Sequence, residues 1–167
     1  MLQNLGALTA WPLSFALVLL ACGYLLAITV PLSIIDLRSH LLPNRIVYPS
    51  ALIGLLLLTA ASLLRGDPGT ALRTLLGGLL LGAGYLLLRL LHPAGMGLGD
   101  VKLAIVLGFY LAYLSWPHLF YGTVLTFLLG GLAGLGLLLS RRGSLDSAIP
   151  FGPFMLVGTL LALLLPA

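Results

Sequence analysis

The sequence predicts an all-α integral membrane protein, a bundle of about six transmembrane helices. Composition and pattern carry that prediction. Hydrophobic residues make up 60% of the 167 and charged residues only 7%, whereas an ordinary soluble domain carries about 25% charged residues. Mean hydropathy is +1.18. A soluble globule of this size could not cover its surface with so few charges. The apolar runs are long, Leu-rich and free of period-2 alternation, so helices are expected rather than a barrel.

A crossing helix needs about 20 mostly apolar residues. The first candidate runs from Pro12 to about Ile35 and is followed by Asp36-Leu37-Arg38-Ser39-His40. Pro43 cannot sit in a helix interior without cost, so the chain turns or restarts there. The second span covers about Ile46 to Leu64, and Arg65-Gly66-Asp67-Pro68-Gly69 is a strong turn signal. The third covers about Thr70 to Leu91, with Gly78 and Gly82 spaced for close helix packing. His92-Pro93-Ala94 breaks it. A fourth, short span covers about Val101 to Ser115, with a helical start near Asp100 available to lengthen it. Trp116-Pro117-His118 reads as a turn, with Trp116 placed as an interfacial anchor. The fifth span covers about Leu119 to Leu139, with Gly130 and Gly134 again at packing spacing. Ser140 to Asp146 is the most polar loop, and the sixth span, about Pro153 to Leu165, is short.

These spans place the loops alternately on two sides. Arg38, Arg45, Arg89, Lys102, Arg141 and Arg142 fall on one side, and only Arg65 and Arg73 on the other. The basic side is cytoplasmic by the positive-inside rule, which puts both termini outside. Asp36, Asp100 and Asp146 then face the cytoplasm, and Asp67 the opposite side. The net charge of +4 is spread between apolar runs rather than gathered into a stripe, so it reads as topology and not as a nucleic-acid surface. Cys22 is the only cysteine, which excludes a disulfide framework or a cysteine-rich zinc module. Leu19-Leu20-Ala21-Cys22 resembles a lipoprotein cleavage box. No Lys or Arg precedes the apolar run, however, and the run continues past Cys22, so Cys22 reads as a buried small residue.

Gly95-Met96-Gly97-Leu98-Gly99-Asp100-Val101-Lys102-Leu103 is the stretch around which the chain is organised. A dinucleotide loop needs a preceding strand and a third glycine, and Asp100 stands where that glycine would fall. An acid at the mouth of a membrane-length apolar segment is expensive and reads as functional. The chain has no Glu and only four Asp. Asp67 and Asp146 read as solvated loop acids. For Asp36 and Asp100 two readings stand side by side. They are interfacial charges, paired with Arg38 or Lys102, or they are carboxylates facing one another across the bundle. Two acids sharing a site cannot both ionise easily. One can then take a proton from water while the other donates one to a scissile carbonyl. Metal hydrolysis is poorly supported: His40, His92 and His118 form no ligand pair and read as interfacial loop residues. Nucleophilic serine is weak too, because Ser33, Ser39 and Ser50 lack a G-x-S-x-G context.

Asp36 with Leu42-Pro43-Asn44, then Gly97-Leu98-Gly99-Asp100-Val101-Lys102-Leu103, then Pro150-Phe151-Gly152-Pro153-Phe154 resemble the three motifs of type IV prepilin peptidases. That family contains membrane-embedded aspartic proteases, and its G-x-G-D element is shared with presenilin-type proteases. The resemblance runs along essentially the whole chain, residues 1–167, as one transmembrane peptidase domain. It implies that Asp36 and Asp100 are the catalytic pair, near the cytoplasmic face of the bacterial inner membrane, with no metal and no cofactor. It implies an endopeptidase that cleaves leader peptides of prepilins or pseudopilins, in type IV pilus assembly or protein secretion.

Long members carry an N-terminal region with paired cysteines and also N-methylate the product. That region has no counterpart here, so methyltransferase activity is not expected. Arg38 and Asn44 stand where long members often carry further acids. Under this reading Pro43, Gly97 and Gly99 form non-helical backbone lining a polar cavity, the one place such backbone is tolerated at membrane depth, and Asn44 belongs to the same active-site loop. Lys102 pairs with substrate or lipid, or snorkels to the interface. Pro150, Phe151, Gly152 and Pro153 shape the start of the sixth helix beside the cavity. The partners are a prepilin peptide and the lipid bilayer, and no feature of the sequence sets an oligomeric state. The rival readings are a small transporter or channel component that uses the Asp pair as a proton or cation path, and a structural assembly subunit with interfacial acids only.

Overall fold

The structure is a computed structural model that describes residues 12–93, 95–140 and 150–166. Arg141, Arg142 and Asp146, assigned above to the polar loop, lie outside the described residues, as does Ala94. The described residues form six α-helices: α1 (Pro12–Ser39), α2 (Asn44–Leu64), α3 (Pro68–Leu91), α4 (Leu98–Leu114), α5 (Trp116–Leu139) and α6 (Gly152–Leu164). The all-α membrane bundle expected from the composition is thus what forms. Four helices are long and apolar enough to cross a membrane: α1, α2, α3 and α5 through Leu137. Of the other two, α4 has 17 residues and α6 has 13.

α4 is the hub. It packs against α2, α3, α5 and α6, and nearly every residue from Asp100 to Tyr113 is buried. A helix that is apolar all round belongs inside. The outer helices turn Leu20, Leu26, Val30, Leu79, Leu80 and Leu132 outwards, as lipid-facing surfaces do. Between helices in lipid, close packing replaces the hydrophobic effect, so small residues mark the contacts. The α3–α4 contact is the most extensive in the bundle. A Cβ on Gly108 would lie 2.7 Å from Gly77 O and 2.7 Å from Gly78 Cα. Gly78 and Gly82, singled out in the sequence, take Phe109 and Ile105 of α4 against their bare faces. Gly130 of α5 receives the rings of Phe151 and Phe154 in the same way.

Two expectations are corrected at the α4–α5 junction. Trp116-Pro117-His118 is not a turn but the first turn of α5, and the break is Ser115 alone, fully extended at φ −172°, ψ 168°. Pro117 fits there because the first helical turn has no backbone partner to lose. His118 is not an interfacial loop residue either. It is fully buried. Its Nδ1 is 2.7 Å from Ser115 Oγ and its Nε2 is 3.2 Å from the carbonyl of Leu165, so it ties the start of α5 to the end of α6. Cys22 is only half-buried, packed on the edge of the core rather than inside it.

Successive helices run up and down, so the polar groups sort to two ends. At one end Asp67 caps α3. Its Oδ1 accepts from the Thr70 N–H (3.0 Å) and its Oδ2 from the Thr70 hydroxyl (2.7 Å). These hydrogen bonds hold the Asp67 carboxyl below the usual carboxylate range. One turn on, Arg73 donates to the carbonyls of Ala112 (2.7 Å), Tyr113 (2.8 Å) and Leu114 (3.2 Å), closing the C-terminus of α4. The other end holds the remaining described acids.

Candidate active site

α1 ends at Ser39, just before His40, whose φ of 51° puts it in the left-handed region that terminates helices. Its N–H still reaches the carbonyl of Asp36 at 2.8 Å. Leu42 precedes a proline and is pushed out of the helical region. Pro43 is extended (φ −69°, ψ 126°), and its carbonyl accepts the N–H groups of Ile46 and Val47, which starts α2. The chain therefore reverses between Asp36, in the last turns of α1, and Asn44, the first residue of α2.

The glycine stretch behaves differently from the expectation. Instead of irregular backbone throughout, helix α4 already begins at Leu98, so Gly99 is helical and only the backbone through Gly97 is not. Gly97, extended at φ −77°, ψ 153°, is the residue before the helix, and Asp100 lies in the first helical turn. Its Oδ2 accepts the N–H of Gly97 at 3.0 Å, satisfying a donor that the helix start would otherwise leave open. Gly99 is needed for room rather than for freedom: a Cβ there would lie 2.8 Å from the Cβ of Leu42.

Asp36 receives its partner from the far end of the sequence. The N–H of Gly152, at the start of α6, donates to Asp36 Oδ2 at 2.9 Å. A Cβ on Gly152 would sit 2.7 Å from that same oxygen. Phe151 holds this segment in place, with its ring 5.3 Å from that of Phe127 and 6.3 Å from that of Tyr85. Pro153 occupies the first turn of α6, again where a proline costs nothing. Pro150 precedes this segment outside the helix.

Asp36 is 4% exposed and Asp100 8%. Both line one cavity of about 240 Å³, with His40, Asn44, Gly97, Gly99 and Lys102 among the other walls. That volume is several times a water molecule's ~30 Å³ share of the liquid. The Lys102 ammonium donates to Asn44 Oδ1 at 2.9 Å and stands 5.1 Å from the centre of the Tyr48 ring. Sequence reasoning missed Tyr48, although its position one helical turn after Asn44 puts both on one face. It also left out His40 as a lining residue. Two carboxyls on one cavity with room for water can divide acid and base work between them. Among the described residues, no three His, Cys, Asp or Glu side chains gather into a set that could hold a metal ion.

The model of the type IV leader peptidase family matches residues 23–139, a stretch that contains Asp36 and Asp100 but stops short of residues 150–153. Among curated proteins, the chain is similar to the prepilin leader peptidase/N-methyltransferase of Aeromonas hydrophila, 37% identical over 155 residues, 87% of this chain and 49% of the relative. The protein of that name from Pseudomonas putida is 35% identical over 150 residues, 89% of this chain and 50% of the relative. Leader peptidase HopD of Escherichia coli is 31% identical over 147 residues, 83% of this chain and 85% of the relative. The chain spans about half the length of the first two relatives. No solved structure matches it significantly.

Proposed function

The chain belongs to the type IV leader peptidase family, and on that premise we propose that it is an intramembrane aspartic endopeptidase. Its substrates are the leader peptides of prepilin-like or pseudopilin proteins, and Asp36 and Asp100 are its catalytic pair. One observation carries the reading. Two buried carboxyls, from distant parts of the chain, line the same cavity, and each accepts a backbone N–H. Burial of this kind is expensive in a bundle with so few charges, and function is the usual reason for it.

In the proposed reaction one carboxyl is ionised and takes a proton from water as the water oxygen bonds to the scissile carbonyl carbon. The other is protonated and donates to the carbonyl oxygen. Collapse of the resulting diol breaks the C–N bond, and the proton goes to the departing amine. Gly97, Gly99, Pro43 and Asn44 shape the cavity wall, and Lys102 holds the Asn44 amide. Pro150, Phe151, Gly152 and Pro153 seat Asp36. The chain works as one transmembrane peptidase domain, without metal or cofactor. The protein is a multi-pass inner-membrane protein. The excess of Arg and Lys at the cavity end supports a cytoplasmic active site. Methyl transfer, part of the longer relatives' names, is not part of the proposal.

The test is co-expression with prepilins from the same genome, read as a mobility shift and as the mass of the mature N-terminus. We expect a shortened, unmethylated product that still forms under strong chelation. Reporter fusions after Arg142 should report cytoplasm. Cleavage abolished by a chelator and restored by zinc would move the assignment to a metalloprotease.

A further inference from the structure

We infer that Leu42 is a positioning residue that couples the two acids to each other. The inference rests on the proposed role of Asp36 and Asp100. Leu42 lies in the short break between α1 and α2, beside the exposed Leu41, yet it is itself buried. Its side chain is shared by two glycines, one next to Asp100 in the chain and one bonded to Asp36. A Cβ on Gly99, the residue before Asp100, would lie 2.8 Å from Leu42 Cβ and 3.3 Å from Leu42 N. A Cβ on Gly152, whose N–H holds Asp36, would lie 3.5 Å from Leu42 Cδ2. The α1–α2 break, the start of α4 and the start of α6 thus meet on one isobutyl group.

Neither acid touches Leu42 through a hydrogen bond, so its effect on chemistry runs through position. Close-packed interiors transmit displacement. A void at Leu42 lets the first turns of α4 and α6 settle independently, and the two carboxyls lose their common reference. Displacements of about 1 Å can cost about 100-fold in rate while leaving every reacting group present. Leu42 also lines the cavity. A residue that only contacted substrate would act on KM, which is the alternative the test separates.

The experiment uses the full chain in detergent with a prepilin-type peptide spanning the leader junction. Wild type against Asp36→Asn comes first: a wild type that does not cleave, or an Asp36→Asn that cleaves normally, sinks the functional reading itself. With that reading standing, Leu42→Ala is expected to lower kcat about 10- to 100-fold. KM should stay within about threefold, and the limbs of the pH–rate profile should move. Leu42→Met, which conserves volume, should recover most of the rate. Leu42→Val gives a milder gap, with an intermediate loss, and decides the matter if the alanine variant does not fold. Unchanged kcat in a folded variant, or a rise in KM alone, overturns the inference.

Discussion

At one end of the bundle Asp67 is bonded twice to Thr70, and Arg73 is bonded to three carbonyls of α4. At the other end Asp36 and Asp100 are buried, each accepts one backbone N–H, and both open onto a cavity. The same residue type therefore does two jobs. The Asp67 carboxylate completes a helix end, sits partly in solvent and is consumed by the fold. The other two acids stabilise little by being where they are, because burying a carboxyl for a single hydrogen bond is a poor exchange. Their positions make sense if the free oxygen of each is kept for another molecule. The difference teaches that the two ends should fail differently: the Asp67 end in stability, the cavity end in turnover.

Gly152→Ala should show the largest one-sided effect. The added methyl would lie 2.7 Å from Asp36 Oδ2 and must displace either the carboxyl or the start of α6. We expect turnover to fall by about 100-fold with membrane insertion intact. Normal turnover in this variant would mean that the seat of Asp36 is irrelevant and would erase the distinction between the ends.

Arg73→Met should be the mirror image. It leaves the last carbonyls of α4 without their charged donor, which costs about 2 kcal/mol. Thermal melting in detergent should fall accordingly, while cleavage per folded molecule stays at the wild-type level. A loss of specific activity at unchanged stability would break the comparison from this side.

Asp67→Ala is the smallest change, about 1 kcal/mol for a lost helix cap. Its sign with pH sharpens the picture. The Thr70 hydroxyl and N–H hold the folded carboxyl below its ordinary value of about 4. A depressed carboxyl contributes fully above its unfolded value and loses that contribution as pH falls through the folded one. The stability gap between wild type and Asp67→Ala should therefore be constant from neutral pH down to about pH 5 and close below about pH 4. A gap that widens on acidification would contradict the cap.

Much of this was legible in the sequence, for a physical reason. Asp36 and Asp100 stand out because charge is scarce in a lipid-soluble chain, and Gly78 and Gly82 because helix spacing carries packing in membranes. What stayed hidden depends on partners far away along the chain. α4 as hub could not be read, since lipid-facing and buried helices are equally apolar. His118 looked like a loop residue because Pro117 reads as a break, and its burial depends in part on the distant carbonyl of Leu165. The need for a bare Gly99 comes from Leu42, far away along the chain, and no local pattern encodes it.

The most direct test of the central claim is the turnover of Asp36→Asn, Asp100→Asn, the double variant and Asp67→Asn, each purified in detergent and measured per folded molecule on one prepilin substrate. Asn keeps size and hydrogen bonding but cannot accept or deliver the proton. We expect both single variants at the cavity end to lose turnover, with the double variant no worse than either, because residues acting as a unit fail together. Asp67→Asn should cleave at the wild-type rate. Near-wild-type turnover in Asp36→Asn or Asp100→Asn would contradict the account and reduce the buried pair to interfacial charges.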